Sequence, residues 1–311
     1  LIVATKNASF GMAGPAMIEG GGLGSFRPDE VGPAAMQWAN GNIDLLVEDE
    51  AAAVAATKRL MSYFQGPLSE WTAADQRHLR HVVPENRLRV YAMRDAIHLL
   101  CDAGSVMELR AGFGRALITA LVRIEGRPYG LIANDPAVLG GAVDADAAEK
   151  GARFLKLCEA WRLPVVSLVD TPGFMVGPDC EARGMVRKAA GMFVAGANLS
   201  VPVGAIVLRK GYGLGAQAMV AGSFHRPVFT ISWPSGEFGG MGLEGAVRLG
   251  YRRELEAETD PTAQKALYDR LVAQQYANGK GINMASFGEI DAVIDPVETR
   301  AWITRGLRAS G

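Results

Sequence analysis

The sequence predicts an α/β protein in which short buried strands are joined by helical crossovers. Three observations predict it. Apolar runs such as 165–169 recur between segments with helical spacing of their apolar residues. Those runs read as nearly continuous hydrophobic text, as strands covered on both faces do. Hydrophobic residues make up 49% of the 311-residue chain, enough to bury a substantial core around such strands.

Residues 1–65 open on a strand-like run and pass through a glycine-rich stretch, GMAGPAMIEGGGLGSFRPDEVGP. A helix is then predicted in DEAAAVAATKRLMSYF, where Ala53, Ala56, Leu60 and Phe64 are spaced to share a face. Residues 66–84 turn polar and read as a linker, and 85–311 as a second unit. In that unit RDAIHLLCDAG predicts a helix stopping at Gly104, and residues 116–126 and 127–135 predict paired strands about a turn at Gly126. Helices are predicted in 144–163, 181–199 and 213–222, and buried strands in 164–170, 201–211 and 226–234. The tail, 254–279, predicts a helical pair broken at Asp260-Pro261.

The formal net charge is −1, with 32 basic against 33 acidic residues and no block of like charge, which argues against a nucleic-acid partner. Cys101, Cys158 and Cys180 are odd in number and share no CxxC spacing, so free thiols in a reducing, cytoplasmic compartment are expected. Of four histidines only His78 and His81 lie close together, and no metal site is expected. No apolar run reaches transmembrane length. LIVATKNASF carries neither an initiator Met nor a leader pattern, so a fragment, a processed form or a partial chain is expected.

Two turns carry chemistry. Asp170-Thr171-Pro172-Gly173 follows a buried strand, as the magnesium-binding Asp-x-x-Gly of GTPases does, but no GxxxxGK[ST] loop accompanies it. Thr-Pro-Gly after a strand is also ordinary turn chemistry. In RKGYGLGAQAM, 209–219, glycines alternate with other residues where a strand becomes a helix. Such a junction can leave successive peptide N–H groups aimed at one oxyanion, or can serve tight packing alone.

The order of GGAVDADAAEKGARFLKLCEAWRLPVVSLVDTPGFMVG, RKGYGLGAQAM and ISWPSGEFGGMGLEGAV closely resembles the C-terminal domain of biotin-dependent carboxyltransferases. These are the β subunits of acyl-CoA carboxylases, here of acetyl- or propionyl-CoA carboxylase type. The resemblance spans about 85–305 and rests on Gly140-Gly141-Ala142, Lys150, 152–154, 170–174, Gly177, 212–213, Met219, 233–234, 241–242 and Ala246. Residues 1–65 look like the end of the family's N-terminal domain, and the Gly-Gly-Ala turn that precedes it on the acyl-CoA side has no counterpart here.

The resemblance implies a crotonase/ClpP-like superhelix of ββα units, a face-to-face dimer within a homo-oligomer such as a hexamer, and a biotin carboxyl carrier or biotin carboxylase partner. It implies carboxyl transfer from carboxybiotin to an acyl-CoA, acetyl- or propionyl-CoA by default, with backbone amides in place of a side-chain base or metal. The N–H groups of Leu214 and Gly215 match the paired amides that hold the biotin oxygen. Asp170, Thr171, Pro172 and Gly173 would wall the biotin pocket with Phe174 packed over it, while Gly140, Gly141 and Ala142 line the same crevice beside Tyr212, Gly213 and Ala216. Leu214 narrows that pocket. Lys210 could assist electrostatically, and Gln217 stands where some members carry an acyl-selective side chain. A reversed flux, as in a decarboxylase subunit, and a non-catalytic scaffold for a biotin carrier are the alternatives.

Overall fold

A computed structural model describes residues 1–308. Among the described residues ten strands are formed: β1 Val3–Thr5, β2 Leu45–Val47, β3 Met107–Leu109, β4 Leu117–Ile124, β5 Arg127–Asn134, β6 Val165–Thr171, β7 Val203–Tyr212, β8 Phe229–Ser232, β9 Glu237–Gly239 and β10 Ala292–Val293. The main sheet runs β10-β8-β7-β6-β5-β4-β3. β5 to β8 and β10 are parallel neighbours, and β3 and β4 are antiparallel at one edge. β7 is long enough to pair with β8 through 204–207 and then with β9 through 210–212, so one strand feeds two directions of sheet. This is the crotonase-type architecture of strand, strand and helix.

The period-two alternation of the central strands divides the core into two layers. Val165, Val169, Val203, Ala205 and Val207 face the helices Ala145–Ala160 and Met185–Ala197. Val166, Leu168, Ile206 and Leu208 face the helices Met93–Leu100 and Thr299–Gly306. Asp144 caps the first of these helices by accepting from the N–H of Ala147 at 2.8 Å.

The hairpin about Gly126 forms as predicted. The helix expected to run to Gly104 ends instead at Leu100. Asp102 is taken by the hairpin: its carboxylate accepts from the N–H groups of Glu125 and Gly126, and its own N–H bonds Arg123 O. Phe64 lies beyond the end of helix Glu50–Ser62 and sets its ring edge-on to Trp161, 4.6 Å between centroids, while Leu60 is buried as expected.

Residues 66–84 form a packed strap along the second unit, not a free linker. Leu68 N bonds Gly126 O, Ala103 N bonds Thr72 O, Leu79 is fully buried, and Arg80 pairs with Asp295. Residues 1–65 are joined to the sheet by a buried ion pair between Asp44 and Arg110 at 2.5 Å.

Candidate active site

β5, β6 and β7 end side by side at Asn134, Thr171 and Tyr212. In open parallel sheets the space beyond the carboxyl ends of the strands is where ligands bind. Three loops meet there, one from each strand.

The loop after β7 enters helix Gly213–Met219 through Gly213, whose φ of +56° is open to glycine at little cost. A Cβ at Gly213 would also lie 2.7 Å from Gly240 O. The N–H groups of Leu214 and Gly215 belong to the first turn, where no intrahelical acceptor exists. Among the described residues, no loop carbonyl or side chain accepts from either. The helix is seven residues long, so the local N–H groups carry the field more than a long dipole does.

Gly215 is packed against the loop after β6. A Cβ there would lie 2.5 Å from Gly173 C and 2.9 Å from Phe174 N. Thr171 Oγ1 closes that loop by bonding the N–H and carbonyl of Gly173, each at 3.1 Å. The loop after β5 is stitched to the same place: Val143 N bonds Gly173 O and Met175 N bonds Val143 O. Gly141 lies so close beneath β6 that a Cβ would fall 2.2 Å from Asp170 O.

One lysine at the end of β7 ties the end of β6 to the loop after β5. Lys210 Nζ donates to Gly140 O at 2.9 Å and pairs with Asp170 Oδ1 at 3.3 Å. Asp170 is fully buried, receives Arg209 Nε at 3.1 Å and the Lys210 N–H at 3.1 Å, and its own N–H bonds Asn134 Oδ1. Arg209 in turn donates to the carbonyls of Arg87 and Arg89 and stacks over Tyr91. Burial, with Asp170 nearby, pushes the Tyr91 phenol well above its ordinary pKa.

Several expected contacts are corrected. Asp170 and Thr171 are fully buried, their side chains turned inward to ion-pair and turn partners, so neither borders the crevice. Phe174 is half-buried, and its ring packs on Phe193, 6.2 Å between centroids. Ala216 is buried in the core, as are Gly141 and Ala142, whose N–H groups bond Val138 O and Leu139 O. Tyr212 is also buried, and its hydroxyl donates to Glu237 Oε2 at 3.0 Å, with desolvation raising both groups. Leu214 is 62% exposed. Pro172, Gly213 and Gly140 remain accessible beside the two free donors. Asn134, Arg209 and Glu237 were missed; for Asn134 and Arg209 the only signal was an amide or charged residue closing an apolar run, and Glu237, in a glycine-rich stretch, carried none.

Two adjacent unpaired N–H donors beside accessible glycines suit one planar carbonyl oxygen on which charge accumulates. Among the described residues there is no group of three or more His, Cys, Asp or Glu able to hold a metal, and no helix is long and apolar enough to cross a membrane.

The sequence pattern of the carboxyl transferase domain matches residues 1–310. The chain belongs to that family. It is 34% identical, over 98% of its length, to the methylmalonyl-CoA carboxyltransferase 12S subunit of Propionibacterium freudenreichii subsp. shermanii, of which it covers 60%. The solved hexameric transcarboxylase 12S, with methylmalonyl-CoA and methylmalonic acid bound, superposes with a TM-score of 0.88 at 33% identity, over 99% of this chain and 60% of that one. A single-chain, multi-domain long-chain acyl-CoA carboxylase superposes with a TM-score of 0.91 at 57% identity, over 98% of this chain and 30% of that one. This carboxyl transferase domain thus spans about 60% of the curated subunit and under a third of the single-chain carboxylase.

Proposed function

We propose that this carboxyl transferase domain transfers a carboxyl group from carboxybiotin on a carrier protein to the α-carbon of an acyl-CoA. The observation that carries the reading is the pair of unconsumed N–H donors of Leu214 and Gly215, set between the loops that follow β6 and β9. Carboxybiotin, when bound, supplies the activated carboxyl group.

The chain's own residues hold charge and geometry. Leu214 and Gly215 donate to the ureido oxygen, and a lost donor of this kind typically costs about 10²–10³ in rate. Lys210 fixes the Gly140 carbonyl and the Asp170 carboxylate together, so the three loops hold one relative position. Half-buried Pro172 contributes to one wall, backed by the buried residues on either side of it, and Gly140 and Gly213 leave room for a ring to approach. The partners are then a biotin carboxyl carrier and an acyl-CoA, in an oligomer like the hexameric core of the transcarboxylase relative.

The test is an assay of the complete subunit containing this chain. Carboxylated carrier with a ¹⁴C-labelled carboxyl is mixed with acyl-CoAs, and label is followed in both directions. Label should pass to acyl-CoA only when both substrates are present. A folded subunit that binds the carrier and moves no label would sink the proposal.

A further inference from the structure

The two N–H donors sit on a turn with few side chains to hold it. Between Gly211 and Ala216 only Tyr212 and Leu214 carry more than a methyl group, and Leu214 is exposed. Glycine leaves that backbone free, whereas donors to an oxyanion work only when held to a fraction of an ångström. Tyr212 is the one side chain of the turn that is both buried and long enough to anchor it. It ends β7, stands at the N-cap of the helix Gly213–Met219 and donates its hydroxyl to Glu237 Oε2 at 3.0 Å.

That hydrogen bond ends on a firmly held strand. Glu237 pairs with Lys210 of β7 on one side and with Lys280 on the other, and Phe238 N bonds Gly279 O at 2.7 Å. Arg87, just beyond the strap, lies over the Tyr276 ring, 3.5 Å from its centroid, and pairs with Glu244 at 3.5 Å. Tyr276 in turn donates to Glu244 at 2.8 Å. Burial pushes the Glu237 carboxyl up, while the Tyr212 hydroxyl, Arg87 and Arg209 pull the other way. Burial, with Glu237 beside it, holds the Tyr212 phenol far above its ordinary pKa, so the phenol keeps its proton and is the donor of the pair. With its hydroxyl committed to Glu237, Tyr212 acts on the site through its backbone.

We propose that Tyr212 and Glu237 are a positioning pair, which fixes the N–H groups of Leu214 and Gly215 in the direction of the ligand without either side chain touching substrate. The effect on rate rests on the carboxyl-transfer reading; the effect on the turn does not. Tyr212→Phe keeps the buried ring and removes the donor. Glu237→Gln keeps an oxygen that can accept from the phenol, and Glu237→Ala removes it. A hydrogen bond that acts by position therefore separates the two Glu237 variants, whereas a requirement for charge would not.

The experiment compares the complete subunit with its Tyr212→Phe, Glu237→Gln and Glu237→Ala variants, and unfolding midpoints report which are folded. Label transfer from carboxylated carrier to acetyl-, propionyl-, octanoyl- and palmitoyl-CoA gives kcat and KM, and mass spectrometry follows deuterium uptake in the helix Gly213–Met219. Tyr212→Phe and Glu237→Ala should lower kcat about tenfold or more, with KM for carrier and acyl-CoA within about twofold of wild type. Both should speed exchange in that helix, while Glu237→Gln stays within about threefold of wild type on every measure. Unchanged exchange in folded Tyr212→Phe would overturn the proposal whatever its kcat, and so would unchanged kcat or a change confined to KM. A Glu237→Gln variant as impaired as Glu237→Ala would overturn it too. Should Tyr212→Phe not fold, the two Glu237 variants decide by the same criteria. Wild type that moves no label to any of the four acyl-CoAs counts against the transfer reading alone, and the exchange measurement then decides whether the pair holds the turn.

Discussion

Gly215 is where a single hydrogen atom decides the site. Its Cα lies against the backbone of Gly173 and Phe174, and any Cβ would need those atoms to move by a substantial fraction of an ångström. Gly215→Val should therefore displace the donor turn from the loop after β6 while the surrounding sheet stays formed. The expected outcome is a loss of carboxyl transfer of about 10²-fold or more, with the circular dichroism spectrum preserved. Steady-state turnover of the purified variant beside wild type checks it, and unchanged turnover would remove Gly215 from the machinery. The strand-to-helix turn itself was legible in the sequence, because glycines interleaved where an apolar run ends mark a tight junction, though they did not tell an oxyanion site from packing. What was not legible is which atoms of each residue face the ligand. Asp170 lies next to accessible backbone yet points its carboxylate at Arg209, and Tyr212 points its hydroxyl at Glu237. Side-chain direction at a strand end depends on the register shift between Val169 and Thr171, a tertiary feature that no local pattern announces.

At the scale of elements, β6 and β7 carry the site by being held at a fixed spacing past their last regular pairing. The register breaks after Val169 and resumes at Thr171 opposite Gly211. In that gap Asp170 and Arg209 meet, with side chains 0% and 4% exposed. A buried pair adds little over an apolar replacement, but removing one partner strands the other charge. Asp170→Asn should thus cost about 3–5 kcal/mol of stability, read as a lower midpoint in urea unfolding with the slope unchanged. A shift below about 1 kcal/mol would mean that water reaches Arg209 and that the pair is not a clamp. Helix identities in this region followed from periodicity, and strand identities from short apolar runs bounded by glycine and proline, too short for buried helices. Element ends were harder. The helix after Ala92 stops four residues before Gly104 because Asp102 is recruited by the β4–β5 hairpin and by Arg300, partners 23 and 198 residues away in sequence. Polar text at 66–84 looked like a linker for the same reason, since its anchors at Gly126, Leu99 and Asp295 are all distant.

Across the whole molecule, charges inside the core tie the first 65 residues to the sheet and leave a signature in the pH dependence of stability. Lys150 is 1% exposed, donates to Phe113 O at 3.0 Å and lies among Glu108, Asp135, Arg94 and Arg110, the last of which pairs with Asp44. Burial lowers its pKa to about 8 from 10.5. Below about pH 8 the lysine is charged in folded and unfolded chains alike, and the folded state bears the cost of burying that charge. Between about 8 and 10.5 the unfolded chain holds a proton that the folded chain has released, so this group's contribution to stability rises with pH and then levels off. The full rise is of order 3 kcal/mol. Cys101, Cys158 and the phenols of Tyr63, Tyr91, Tyr129 and Tyr212 act in the opposite sense, because burial raises each of them and the folded state then retains protons that the unfolded chain loses. Total stability against pH therefore mixes two trends, and the informative quantity is a difference. Lys150→Met keeps the length of the side chain and removes the titration. Its stability relative to wild type, measured by urea unfolding at half-unit steps from pH 7 to 10.5, should be greatest at pH 7 and decline by about 2–3 kcal/mol across the range. A flat difference would place Lys150 in contact with water and remove the buried charge from the joint between the two parts of the chain.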